Sequence, residues 1–274
     1  KKALKLKPDS DQLMFEMVAL MDKMNIDPKE KIATLLTNPL NLDNLNTELA
    51  KAYNQNNEPE KAIEVLKNHR FIPCEGGETA IAEQWFFAHY LVAMKLMKSG
   101  DYQKAYDTFI YGSVLPDELG SGIWNKSKLI PLQFRAAECL SLMGRKEEAD
   151  KIFTYIVDTP FEYFNITTLP ELPFYHAMSY DYLGEHELAR NIMNDYKRIW
   201  KAELTRKDNG FFNNTPFLIS FVENPEKMRT AHYSYLLGLV DLWDGRCHEA
   251  KEKLEKAYSF NSDNIYAKIF AENI

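Results

Sequence analysis

Leu13, Met17, Leu20, Met21 and Met24 recur at helical spacing, and Pro28 can open a second helix that runs through Leu36. Further along, the same paired-helix pattern gains a fixed grammar of small residues. In AMKLMKSGDYQKA, Ala93 is followed seven residues on by Gly100 and five more on by Ala105. Four further units repeat it: Ala50 and Ala62 around Asn57, Ala137 and Ala149 around Gly144, Ala177 and Ala189 around Gly184, and Gly238 and Ala250 around Gly245. The first pair of helices lacks the alanines.

Two antiparallel helices joined by a tight turn approach to roughly 8–10 Å, and their closest crossing admits only a small side chain from each. The alanine pairs supply those contacts. The intervening glycine suits the left-handed position that ends a first helix, with Asp101 capping the next. Four residues after each second alanine stands a large apolar side chain, Leu66, Phe109, Phe153, Met193 or Leu254, placed to fill the groove between hairpins. Pro73, Pro116 and Pro160 stop three of the second helices. A single hairpin cannot bury its own apolar face, so neighbours must stack.

These units resemble tetratricopeptide repeats. The expected fold is all-α, a right-handed superhelical solenoid of antiparallel helix hairpins with long inter-repeat loops, forming one domain over 1–274. The repeats are expected at 11–37, 42–73, 86–116, 129–160, 172–200 and 231–262, with a capping helix at 263–274. The second helix of the Ala189 unit is expected to run on to about Arg206. Residues 1–8 look like the tail of a preceding repeat, with Ala3 and Pro8 at the end of a second helix and its stop, which marks the chain as a piece of a longer protein.

Three connections are longer than stacked hairpins need. Gly76 and Gly77 form a turn flanked by Glu75 and Glu78, YGSVLPDELGSG follows the next hairpin, and NGFFNNTPFLISF carries Phe211, Phe212, Phe217 and Phe221. That aromatic loop must pack on something, and the solenoid's own surface is the expected site. Taken in order, IPCEGGE, LPDELGSG, NGFFNNTPFLISF and the hairpin reading HYSYLLGLVDLWDG resemble the C-terminal tetratricopeptide region of a family of large bacterial proteins bearing a domain of unknown function. The resemblance covers essentially the whole chain. It implies an upstream β-rich portion similar to sugar-processing β-sandwiches and a bacterial cytoplasmic or periplasmic setting. Cys74 stands where that family prefers tryptophan, and Asn213 and Asn214 replace small residues of the aromatic loop.

The net charge of −7 over 274 residues argues against nucleic acid or an anionic membrane as the main partner. No apolar run approaches the roughly 20 residues that span a bilayer. Cys74, Cys139 and Cys247 are odd in number and fall in different repeats, so no disulfide framework is indicated. No nucleophile turn or phosphate-cradling glycine loop is present, and HELAR at His186 and HEAKE at His248 lack the second histidine of a zinc helix. No catalytic residue, metal site or cofactor is therefore assigned.

First-helix positions counted from each first small residue put Phe87, Tyr90, Met94, Phe134, Phe174, Met178, Tyr182, Tyr235 and Trp243 near the concave groove. An aromatic, Met-rich groove suits an extended peptide or protein segment, the upstream domain of the same chain included, with a sugar face as a further candidate. A basic clamp for a C-terminal carboxylate is not expected, because Asn44, Thr47, Lys51 and Asn54 of the Ala50 unit include one cation. The reading is an interaction scaffold that is not itself an enzyme. The alternative is a helical accessory part of a carbohydrate-active multidomain enzyme, with Glu75, Glu118 and Glu138 as candidate acids.

Overall fold

The computed structural model describes residues 4, 6–72, 78–122, 126–160, 169–206 and 224–274, except for the side chains of residues 78, 79 and 225. The Glu75–Gly76–Gly77 turn with Pro73 and Cys74, the end of Ala3, and the four phenylalanines of the aromatic loop lie outside the described residues. From Asp11 onward the described residues form thirteen α-helices in chain order: α1 (Asp11–Lys23), α2 (Pro28–Leu35), α3 (Asp43–Gln55), α4 (Pro59–Asn68), α5 (Glu78–Lys98), α6 (Tyr102–Gly112), α7 (Ile130–Leu142), α8 (Lys146–Val157), α9 (Leu172–Leu183), α10 (His186–Thr205), α11 (Pro225–Trp243), α12 (Cys247–Phe260) and α13 (Ile265–Glu272). Short 3₁₀ turns at Asp117–Leu119 and Lys126–Leu129 lie before α7, and no strand occurs among the described residues. Their contacts group them into two units, Lys1–Glu185 and His186–Ile274.

In the first unit each helix packs on the next, and alternate helices α1, α3, α5, α7 and α9 also touch in series. That is the nearest-neighbour packing of a solenoid, as the repeat predicts. In the second unit α11 pairs with α12, α10 packs on α11, and α13 packs on α12. Two helices begin earlier than the repeat boundaries, α5 at Glu78 and α11 at Pro225, while α10 ends at Thr205.

One turn geometry recurs six times. Gly100, Gly144, Gly184 and Gly245 take φ of 82°, 76°, 86° and 75°, and Asn57 takes 59°, confirming that an asparagine stands in for glycine there. At each, the residue's own N–H bonds the carbonyl three back and the following N–H bonds the carbonyl four before the left-handed residue, as in Gly100 to Met97 (3.1 Å) and Asp101 to Leu96 (3.0 Å). These paired bonds satisfy carbonyls that a helix end leaves open. Asn25 is the sixth, with φ 50° and bonds from Asn25 to Asp22 and Ile26 to Met21, so the hairpin without alanines keeps the turn.

The small residues lie where close packing needs them. Ala50, Ala62, Ala93, Ala105, Ala137, Ala149, Ala177, Ala189 and Ala250 are all fully buried, as are Leu66, Phe109, Phe153 and Leu254 four residues on, with Met193 nearly so. A Cβ on Gly238 would meet Leu254 Cγ at 2.9 Å, which explains the glycine at a position held elsewhere by alanine. Gly112 is tighter still, since a Cβ there would stand 2.4 Å from His89 Cβ on α5 and 3.0 Å from Leu132 Cδ2 on α7.

The first hairpin departs from the pattern at one site. In the second helices α4, α6, α8 and α12 the small residue comes four positions after the N-cap; after Asp27, whose carboxylate accepts the Lys29 N–H at 2.8 Å, that position is Lys31. Lys31 is 2% exposed. Its ammonium bonds Asp22 and, at 2.5 Å, Gln55 Oε1 on α3, while Lys51 takes the other Asp22 oxygen at 2.9 Å. Burial works to raise the Asp22 acid, but Lys51 and the bond from Lys31 hold it below the ordinary carboxylate range. A charged network thus replaces the alanine contact and ties α1, α2 and α3 together.

Two predictions follow from this packing, both read by urea unfolding. Asn57→Gly keeps stability at or above that of the parent chain, while Asn57→Ala loses about 1–2 kcal/mol by forcing a Cβ-bearing residue without a compensating side-chain bond into the left-handed region. Gly112→Ala costs about 3 kcal/mol, the upper end of overpacking, because the His89 Cβ it meets cannot swing away without moving α5. A Gly112→Ala chain as stable as its parent would contradict the close approach.

Candidate functional site

The face offered by the first helices α5, α7 and α9 of the first unit is the candidate site. Tyr90 is fully buried, and Phe134 and Phe174 nearly so, so these rings are core and show little surface to a ligand. Phe87, Met94 and Met178 are half-buried, and Tyr182 is 39% exposed. In the second unit Tyr235 is buried and Trp243 half-buried. Counting from the small residue does not give the depth of packing. α7 has α5, α6, α8 and α9 as neighbours, and the five consecutive residues Ala136–Leu140 are all buried. The segments leading into α7 and α9 also meet, through the Leu169 N–H donated to the buried Ser127 hydroxyl at 3.4 Å.

Beneath the half-exposed side chains runs a polar network that spacing alone did not reveal. Arg135 of α7 donates from Nε to the Tyr90 hydroxyl at 3.0 Å and from a terminal nitrogen to Glu138 Oε2 at 2.5 Å. Tyr182 donates its hydroxyl to Glu138 Oε1 at 3.1 Å and stacks on Phe153 of α8, centroids 4.5 Å apart and planes 10° from parallel. Burial works against the Arg135 charge, yet Glu138 and Tyr90 more than offset it and the guanidinium stays protonated. Burial pushes the Tyr90 phenol up despite Arg135; burial and the Glu138 carboxylate push the Tyr182 phenol up as well. Glu171, 3% exposed at the start of α9, adds a second carboxylate whose charge reaches Tyr90. Its position outside the counted helix explains why it went unnoticed.

This arrangement decides what the candidate acids can do. Both Glu138 oxygens are engaged, by Arg135 and Tyr182, so the carboxylate fixes α7 to α9. Glu118 is exposed on a 3₁₀ turn and uses its backbone carbonyl to accept the Phe71 N–H at 3.0 Å. Glu75 lies outside the described residues. The Cys139 thiol is pushed up to about 12, mainly by burial, which leaves it an inert core group. Cys247 is exposed. Among the described residues no three His, Cys, Asp or Glu side chains converge as metal ligands, and no helix is long and apolar enough to cross a membrane.

Two histidines are built in as neutral groups. His89 Nδ1 stands 2.9 Å from the Trp85 carbonyl, with its ring 4.0 Å from the Trp85 ring. Burial lowers His89 to about 4, against the Trp85 carbonyl bond and with help from nearby Lys67. Burial likewise lowers His176 to about 4, against bonds to the carbonyls of Ile156 and Thr159.

No family model matches this chain. A solved structure similar to it is the crystal structure of a tetratricopeptide repeat protein from Parabacteroides merdae ATCC 43184, at 16% sequence identity and a TM-score of 0.47, over 99% of this chain and 88% of that one.

The histidines set a pH window for stability. An unfolded chain protonates both near 6.5, whereas the folded chain holds them neutral down to about 4. Their contribution is complete above about pH 6.5 and is lost as the pH falls toward 4, by roughly 3 kcal/mol for each histidine. Urea midpoints measured across that range should fall steeply for the parent chain and less steeply for His89→Gln/His176→Gln, which is weaker at neutral pH. Parallel slopes would place the titration elsewhere.

Proposed function

We propose that this chain is an interaction module that binds an extended, apolar peptide segment on the first-helix face of its first unit. The observation that carries the reading is the state of Tyr182. Its ring is stacked on Phe153 and its hydroxyl tied to Glu138, yet 39% of its surface stays open. An aromatic side chain already fixed in one rotamer loses little entropy when a partner covers it, which is the property of a binding anchor. Half-buried Met94 and Met178 on α5 and α9 add polarizable, adaptable surface on flanking helices. The function is surface complementarity, without a chemical step. A segment of a longer parent chain and a separate protein are two sources of the same peptide chemistry.

Peptides selected from a random display collection against the purified chain should be rich in apolar and aromatic residues. Met94→Ser and Met178→Ser together should weaken the selected peptides about tenfold or more while leaving the unfolding midpoint nearly in place, since both side chains are only half-buried. Peptides that bind parent and variant equally would exclude this face as the binding surface.

A further inference from the structure

In the second unit, α10, α11 and the start of α12 enclose a cavity of about 280 Å³. Lys197 and Lys201 reach it from α10, and Arg246 and Lys253 from the turn and helix that follow α11. Asp241 and Glu249 line it and Asp244 stands against Lys197 and Arg246, so four cations face three acids in a chain whose net charge is −7. The local excess is opposite in sign to the chain as a whole, so composition does not account for it.

The acids hold the cations in place. Asp241 is nearly buried; its Oδ1 accepts from Arg246, with Nε at 3.1 Å, and its Oδ2 accepts from Lys253. Burial works to raise the Asp241 acid, but Lys253 and Arg246 keep it below the ordinary carboxylate range, hence ionised. Asp244 accepts from Lys197 at 2.8 Å and lies 2.6 Å from Arg246. Each ammonium carries three donors, so Lys197 and Lys253 keep capacity beyond the carboxylate bond each makes. Lys201 makes no ion pair among the described residues. Glu249 is exposed, and Leu237 and Val240 supply a buried apolar part of the lining.

We infer that this cavity binds a phosphomonoester, with the phosphoryl oxygens on Lys197, Lys201 and Lys253. A phosphoryl group carries about −1.5 to −2 charges and three strong acceptor oxygens, which match converging cations better than a carboxylate with two oxygens does. The cavity has room beyond one phosphoryl group. The site is independent of the first-helix face and belongs to a different unit of the chain.

The test is an amide NMR titration of the full chain with glycerol phosphate, inorganic phosphate and succinate at constant ionic strength. Glycerol phosphate should shift the Gly245 and Arg246 amides saturably and bind more tightly than inorganic phosphate or succinate. Lys201→Ala should weaken it about tenfold, the loss of one charge-assisted bond. Lys201→Arg should retain binding, and both variants should keep the parent unfolding midpoint because Lys201 is exposed and its side chain makes no ion pair among the described residues. The assignment is overturned by an absence of saturable shifts, by equal affinity for succinate or inorganic phosphate, or by unchanged affinity in Lys201→Ala.

Discussion

A single left-handed residue at the end of each first helix governs the architecture. It reverses the chain within two to four residues and fixes the next helix close against the last, because both bonds of the reversal draw on carbonyls of the final turn. Helices held that close can cross only over small side chains. The alanine pairs and the packing of Leu66, Phe109, Phe153 and Leu254 are consequences of the turn. Asn25 makes the order of causation visible: the turn persists where the alanines are missing, and a different solution then fills the crossing.

That different solution is polar. At Lys31 and again at Arg135, the chain places a cation in a packed interior and surrounds it with a carboxylate and neutral acceptors. Apolar contacts would hold such positions at least as strongly, since desolvating two charges costs most of what their attraction returns. What the networks add is geometry. The Arg135 bonds admit one register of α5, α7 and α9, and they leave the Tyr182 ring in a defined orientation. Precision on the first-helix face is gained by burying charge beneath it.

The repeat was legible because its determinants are local. Helical spacing, a left-handed residue and a small residue at fixed intervals each act within one hairpin, and Asn57 could be recognised as a glycine substitute from position alone. Depth was not legible. Tyr90, Phe134 and Phe174 share a helix face with Met94 and Met178, yet the first three are core, because burial depends on neighbours from other repeats and from the segments that lead into α7 and α9. The Arg135 network was hidden for the same reason: Tyr90, the Arg135–Glu138 pair and Tyr182 are distant in sequence and meet only when three hairpins stack. Lys31 was hidden by one added residue in the turn, which shifts the count from the left-handed position although the count from the N-cap is kept.

The two units balance their charged side chains differently, and this bears on what one repeat can carry. In the first unit the charged residues of the interior are neutralised inside it, by Asp22 for Lys31 and by Glu138 for Arg135, and Met94, Met178 and Tyr182 keep part of their surface open. In the second unit the acids are fewer than the cations around the α10, α11 and α12 cavity, and what is left open is charge. A hairpin repeat fixes only the crossing residues and the turn; every other position on a helix answers to whatever lies next to it. The two proposed selectivities, for an apolar segment and for an anion, therefore require no change of fold, only a different balance between cations and the carboxylates that hold them.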